Sequence, residues 1–232
     1  MKTLEKLILS GLVLLLCMTL QACSKPTADN TNGVQTGSVQ SDNLVQTQTI
    51  YVLWDSLSAG YRLPLDKAFS TLVEKQLLAL WYKIKVINGG ESGDTSAGLK
   101  ERLARITADA QSWDIALVTI GANDGLQWLD TAKLQDNLKS IVTSLQSRGV
   151  KTIVWGMLIP TNFGNNYRSD FAAVFPAVAS ETNSQIIPFI LSGVAGNPEL
   201  NLPDGIHPNE TGQVIMADTV TQFLIQSDLL VK

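Results

Sequence analysis

Apolar residues fall along this chain in two spacings. Short unbroken runs, Ile50 to Trp54, Ile84 to Ile87, Ile115 to Ile120, Val150 to Met157 and Ile186 to Ile190, predict strands buried on both faces. Between them apolar residues recur every three or four positions. Phe69, Leu72, Val73, Leu77 and Leu80 predict a helix from Asp66 to Trp81. Leu99, Leu103 and Ile106 mark a second, and Leu134, Leu138, Ile141, Val142 and Leu145 a third, closed by Gly149. A fourth helix is expected over Ser169 to Ser180 and a last one over Pro208 to Gln226, with Pro208 suited to the first helical position. Strands alternating with helices predict an α/β fold, a three-layer α/β/α sandwich with a parallel central sheet. No internal repeat is visible.

The strands end in polar, glycine-rich turns. Ile50–Trp54 stops at Asp55-Ser56 and the small residues Ser58, Ala59 and Gly60. The second strand runs into Asn88-Gly89-Gly90-Glu91-Ser92-Gly93-Asp94, the third into Gly121-Ala122-Asn123-Asp124-Gly125, and the fourth into Pro160-Thr161-Asn162-Phe163-Gly164. In a parallel sheet these turns share the carboxyl edge, where open α/β sheets bind ligands. Ser56 is thus placed where a nucleophile would stand.

Three stretches of the chain differ in character. Lys2 and Lys6 precede an apolar run, Leu7 to Leu20, too short for a comfortable membrane span. It ends in Leu20-Gln21-Ala22-Cys23, which resembles the lipobox of bacterial lipoproteins, although Gln21 stands where a small residue is usual. That resemblance implies a signal peptide over residues 1–22, lipidation of Cys23 and a lipid-anchored place in the bacterial cell envelope. Ser24 after the cysteine resembles lipoproteins held on the periplasmic face of the outer membrane. Residues 23–47 are poor in bulky apolar side chains and predict a flexible tether, leaving 48–232 as one folded domain. The only cysteines are Cys17 and Cys23, so the domain has neither a disulfide nor a thiol nucleophile. With 17 Lys and Arg against 21 Asp and Glu, the net charge of −4 gives no footprint for nucleic acid. No metal-ligand spacing and no phosphate-cradling loop is present, so neither metal nor cofactor is expected. The domain is expected to be a monomer.

The candidate chemistry centres on one histidine. His207 lies in Asp204-Gly205-Ile206-His207-Pro208-Asn209 and is the sole histidine of the chain. Histidine changes charge near neutral pH and is the usual general base. Asp204, three residues earlier across a glycine, can curl onto one ring nitrogen and leave the other free. A serine nucleophile needs such a base and an acid to orient it. The order Ser56, Asp204, His207 supplies both. Trp54 and Ser58 exclude the G-x-S-x-G elbow of α/β-hydrolases. Gly93 can offer its N–H at no steric cost, and Asn123 has an amide donor at a strand end. With the Ser56 N–H they would make three donors for an oxyanion.

Asp55-Ser56-Leu57-Ser58-Ala59-Gly60-Tyr61, Ser92-Gly93-Asp94-Thr95-Ser96, Gly121-Ala122-Asn123-Asp124-Gly125 and Asp204-Gly205-Ile206-His207-Pro208-Asn209 resemble, in order, the four motif blocks of the SGNH (GDSL) hydrolases. The nearest likeness is to the periplasmic thioesterase, arylesterase and lysophospholipase branch. The resemblance implies a flavodoxin-like fold and a serine esterase working through an acyl-enzyme. It places the nucleophile on Ser56, the acid and base on Asp204 and His207, and the oxyanion hole on Ser56, Gly93 and Asn123. Trp54 stands where the family's first block has glycine, and its ring is expected to narrow the pocket. Leu126, Trp128 and Phe163 are expected to line a groove for an apolar acyl group. The implied substrate is a small acyl ester or a lipid. The rival readings are a carbohydrate deacetylase and a catalytically silent binding lipoprotein.

Overall fold

The computed structural model describes residues 46–232, so Cys23 and the segments before residue 46 lie outside the described residues. Five strands, β1 (Gln48–Leu53), β2 (Ile84–Asn88), β3 (Ile115–Val118), β4 (Lys151–Trp155) and β5 (Gln185–Ile187), form one parallel sheet in the order β2-β1-β3-β4-β5. All four strand pairings are parallel. Their registers place Val52 between Asn88 and Leu117, and Val118 beside Val154. The continuous apolar runs have their cause here. Ile50, Val52, Leu53, Ile115, Leu117, Val118, Ile153 and Val154 are all buried, because helices cover both faces.

Helices α2 (Phe69–Ala79) and α7 (Glu210–Gln226) pack together on one face. On the other lie α3 (Ser96–Ile106), α5 (Thr131–Gln146) and α6 (Asn165–Glu181). The layering is α/β/α. The chain goes outward from β1 to β2, then returns past β1 to β3. That reversal opens a crevice between the carboxyl ends of β1 and β3, the topological switch point. Two one-turn helices too short for a 3.6-residue period to show, α1 (Ser56–Ala59) and α4 (Ala122–Leu126), stand at this crevice.

Several boundaries differ from expectation for local reasons. The helix expected from Asp66 begins at Phe69, after a separate 3-10 turn at Leu65–Lys67; Ala68 between them is extended. The last helix does not start at Pro208. Asn209 caps it, its side chain accepting the N–H groups of Thr211 and Gly212, while Pro208 bridges to Asn201.

Candidate active site

The turn after β1 is held from several sides. The Asp55 carboxylate accepts the N–H of Leu57 at 3.1 Å and caps α1. Gly60 closes that turn with φ 68°, which glycine adopts without strain. The loop after β2 packs beneath it. A Cβ on Gly90 would lie 2.0 Å from Ser58 Oγ and 2.8 Å from the Asp55 carbonyl oxygen, so only glycine allows this approach. Arg102 of α3 ties the two loops together. It donates to the Trp54 carbonyl at 3.2 Å, to the Gly89 carbonyl at 2.6 Å and to the Asp94 carboxylate at 2.6 Å. Ser56, the first residue of α1, is thereby presented at the carboxyl edge.

His207 arrives from the far end of the chain on a small hairpin. Asn201 bridges Pro208; Leu202 N–H donates to His207 O at 2.7 Å, and Asn209 N–H to Leu200 O at 2.9 Å. His207 Nε2 lies 2.9 Å from Ser56 Oγ. On the other side of the ring, Nδ1 lies 2.9 Å from Asp204 Oδ2. Asp204 Oδ1 accepts the N–H groups of Ile206 and His207, each at 3.0 Å. Partial burial opposes the charge on Asp204, but these hydrogen bonds and the His207 ring outweigh it and hold the carboxyl at about 2. The ring of Tyr61 stacks on His207 with centroids 4.2 Å apart and planes 28° from parallel, and the Arg62 guanidinium sits 5.1 Å from the Tyr61 ring centre.

Across the crevice stands Asn123, on the first turn of α4. Its Nδ2 donates to the Asp94 carbonyl at 2.8 Å and lies 3.5 Å from Asp55 Oδ2. Asp55 is almost wholly enclosed. Burial drives its carboxyl up to about 7, with Asp94 and Asp124 adding to the rise and the Leu57 N–H opposing it. Asp124 braces α4 against α3, accepting the Ser96 N–H at 2.8 Å and the Ser96 hydroxyl at 2.6 Å. Ser56, Gly93, Asn123 and His207 line one cavity, shared with Leu57, Tyr61 and Leu126. Gly93 has φ 85°, a conformation that disfavours any side chain there.

A larger apolar cavity of about 440 Å³ continues from this one through Leu57, Ala122, Leu126 and Ile206. Its far wall comes from the ends of β4 and β5, with Met157, Leu158, Ile159, Phe189 and Leu191. Of the residues expected to line a groove, Leu126 does so. Trp128 and Phe163 do not. Trp128 adopts φ 58° past the end of α4 and lies against Phe163 at 5.0 Å and Tyr167 at 4.8 Å, a brace between that loop and α6. The Tyr167 hydroxyl completes it by donating to the Leu129 carbonyl at 2.7 Å.

Trp54 also departs from expectation. Its ring is wholly buried and meets Phe69 at 5.6 Å and Trp155 at 5.8 Å, both edge-on. It fills the core and is absent from the walls of both cavities. The cavity residues after β4 and β5 were open to inference, since Met157-Leu158-Ile159 and Phe189-Ile190-Leu191 are apolar runs continuing past strand ends. The Tyr61 stack had no signal beyond its place in the first motif block. Among the described residues, no group of three or more His, Cys, Asp or Glu side chains is arranged to hold a metal ion.

Comparison with known proteins agrees with this arrangement. A profile of the GDSL-like Lipase/Acylhydrolase family matches residues 54–215. An arylesterase of Vibrio mimicus is 33% identical over 180 residues, 78% of this chain and 90% of the relative. The thioesterase 1/protease 1/lysophospholipase L1 of Escherichia coli K12 is 32% identical over 177 residues, 76% of this chain and 83% of the relative. The solved structure of the psychrotrophic esterase EstA of Pseudoalteromonas, inhibited by monoethylphosphonate, superposes with a TM-score of 0.73 at 30% identity, covering 78% of this chain and 98% of that one. The chain belongs to the GDSL-like lipase/acylhydrolase family and is an ester hydrolase.

Proposed function

We propose that Ser56 is the nucleophile of this hydrolase, His207 its general base and Asp204 the group that orients and charges the base. The observation that carries the assignment is the pair of 2.9 Å contacts at the two nitrogens of one imidazole, to Ser56 Oγ and to Asp204 Oδ2. Ser56 Oγ attacks the carbonyl carbon of an acyl ester or thioester while its proton passes to His207 Nε2. The carbonyl oxygen becomes an oxyanion, met by the N–H groups of Ser56 and Gly93 and the amide of Asn123. His207 then gives the proton to the departing oxygen or sulfur, and an acyl group remains on Ser56. Water enters, His207 takes a proton from it, and the acid is released as Ser56 Oγ regains its hydrogen.

The substrate is an ester with an apolar acyl group. Support comes from the cavity of about 440 Å³ beside Ser56, whose walls are mostly hydrocarbon. Each methylene placed there adds about 0.8 kcal/mol, near fourfold in kcat/KM. A series of p-nitrophenyl esters from acetate upward tests this: kcat/KM rises with chain length until the cavity is full, then levels. A flat series would remove the acyl-pocket assignment and leave the triad untouched.

We further infer that Cys23 carries an acyl anchor that holds the enzyme on the periplasmic side of the bacterial envelope. The support is the Leu20-Gln21-Ala22-Cys23 sequence and the polar stretch after it. Labelled palmitate incorporated by cells into the full chain, and lost in Cys23→Ser, is the expected result.

A further inference from the structure

We propose that the end of the domain opposite the Ser56 cavity, built around Leu80 and Trp81, is a bilayer-contact face. The proposal rests on the acyl-anchor reading only for its choice of partner. Trp81 is 93% exposed and has φ 67°, so a bulky side chain is held in left-handed backbone and pointed into water. That conformation ends α2: the N–H groups of Trp81 and Tyr82 donate to the Leu78 and Leu77 carbonyls at 3.0 and 3.1 Å. Leu78 and Leu80, at the same end of α2, are 47% and 50% exposed. The exposure of these three apolar side chains is a cost with no return in a body bathed only in water.

The location supplies the return. Trp81 lies in the turn that leads into β2, at the amino edge of the parallel sheet, whereas Ser56 lies past the carboxyl edge. The first residue of β1 reaches the fold at the same place. Gln48 N–H donates to the Lys83 carbonyl at 2.9 Å, and the Gln48 side chain donates to the Leu229 carbonyl at 3.0 Å and accepts the Val231 N–H at 3.0 Å. The described chain therefore begins at the backbone of Lys83, two residues after Trp81. Cys23 is 25 residues upstream of Gln48. A chain of 25 residues spans at most about 85 Å when fully extended. An acyl group on it keeps this end of the domain within one tether length of the membrane.

The surface chemistry suits that partner. An indole with flanking leucines favours the boundary between headgroups and acyl chains. Lys83 and Lys85 are exposed nearby, and Lys232 sits 5.6 Å from the ring centre of Tyr82, the neighbour of Trp81. Their ammonium groups can meet lipid phosphates while their stems stay on apolar surface. Asp228 lines the groove formed by Tyr82 and the C-terminal segment. Docked this way, the domain turns the Ser56 cavity away from the leaflet that holds its anchor. Its substrates are then acyl esters taken from the aqueous side, not lipids of that leaflet.

The test keeps the whole chain from Ser24, with every residue of the folded body, and carries a hexahistidine tag ahead of Ser24. The tag binds nickel-chelating lipid in vesicles of phosphatidylethanolamine and phosphatidylglycerol, with or without brominated acyl chains. Bromine quenches only indoles that reach the hydrocarbon boundary. Trp81 and Trp128 are the two strongly exposed indoles and lie at opposite ends of the sheet. The expected result is quenching in the unsubstituted chain and in Trp128→Phe, and at least a threefold loss of quenching in Trp81→Phe. Unchanged ester turnover in Trp81→Phe shows that the variant is folded. Quenching that follows Trp128 instead would mean that the cavity faces the membrane, and would overturn the proposal. So would the absence of quenching, or a dimer that dissociates in Trp81→Ser without any lipid effect. Because the nickel tether replaces the acyl anchor, failure of palmitate labelling at Cys23 would sink the anchor reading and leave the docking result standing.

Discussion

Two carboxyl groups a few residues from the reacting atoms respond to the fold in opposite senses. Asp204 is held at about 2, below an ordinary aspartate, so its contribution to stability is complete above the unfolded range near 3.8 and is lost as pH falls toward 2. Asp55 is raised to about 7, so the folded chain keeps a proton there that the unfolded chain gives up. Stability therefore declines as pH rises from about 4 to 7 on account of Asp55. Asp55→Asn preserves an oxygen to accept the Leu57 N–H and removes the titration. Its melting temperature relative to the parent should rise between about pH 4 and pH 7 and level off above that, measured by calorimetry at matched ionic strength. A difference independent of pH would show that Asp55 does not titrate in that window. For the chemistry, Ser56→Ala should lose at least about 10⁴-fold in kcat with its fold intact. Asn123→Ala should lose about 10²–10³-fold in kcat, with little change in KM if its amide meets only the transition state. Ser56, His207 and Asp204 could be singled out together because each carries distinctive chemistry at a telling place, and the fold brings the three side chains within hydrogen-bond distance. The neighbours that tune them were not, since Tyr61 and Arg102 act through contacts made only after folding.

At the level of elements, the aromatic cluster at the end of β1 shows where side-chain type misleads. Trp54 follows the last residue of β1 and stands two residues before Ser56, so proximity in sequence argued for the pocket. In the fold its ring turns into the layer beneath α2, where Phe69 and Trp155 receive it. A strand end has two faces, and the sequence does not say which one a large ring will take. Trp54→Ala should cost about 3–5 kcal/mol of stability by leaving a hole. It should not move the optimum of the ester chain-length series. A shifted optimum would return Trp54 to the pocket wall. The glycine beneath the nucleophile makes a complementary case. Gly90→Ala must push apart α1 and the loop after β2, and kcat should fall although no catalytic group is changed. The one-turn helices α1 and α4 were read as turns because one turn cannot display helical periodicity. Asn123 was still found, through the residue type and its strand-end position.

For the molecule as a whole, alternation of strands and helices was sufficient to give the layered parallel architecture, and four polar turns located its working edge. Sheet order is a different matter. That β1 lies inside, between β2 and β3, follows from pairings between distant segments that periodicity does not encode. The same holds for the cavity beyond Ser56, whose wall joins α1 and α4 to the ends of β4 and β5. The exposed rim at Trp81 was hidden in an apolar helix pattern, where Leu80 read as part of the core-facing stripe.

The hairpin between Asn201 and Pro208 has a thermal consequence. The proposed acid and base ride together on this one small element, which apart from the Ser56–His207 contact is hydrogen-bonded to the rest of the body through the loop and the cap of α7. Should it peel away on warming, both leave Ser56 at once. Inactivation would then set in below the cooperative melt, reverse on cooling, and strike each molecule in an on-or-off manner.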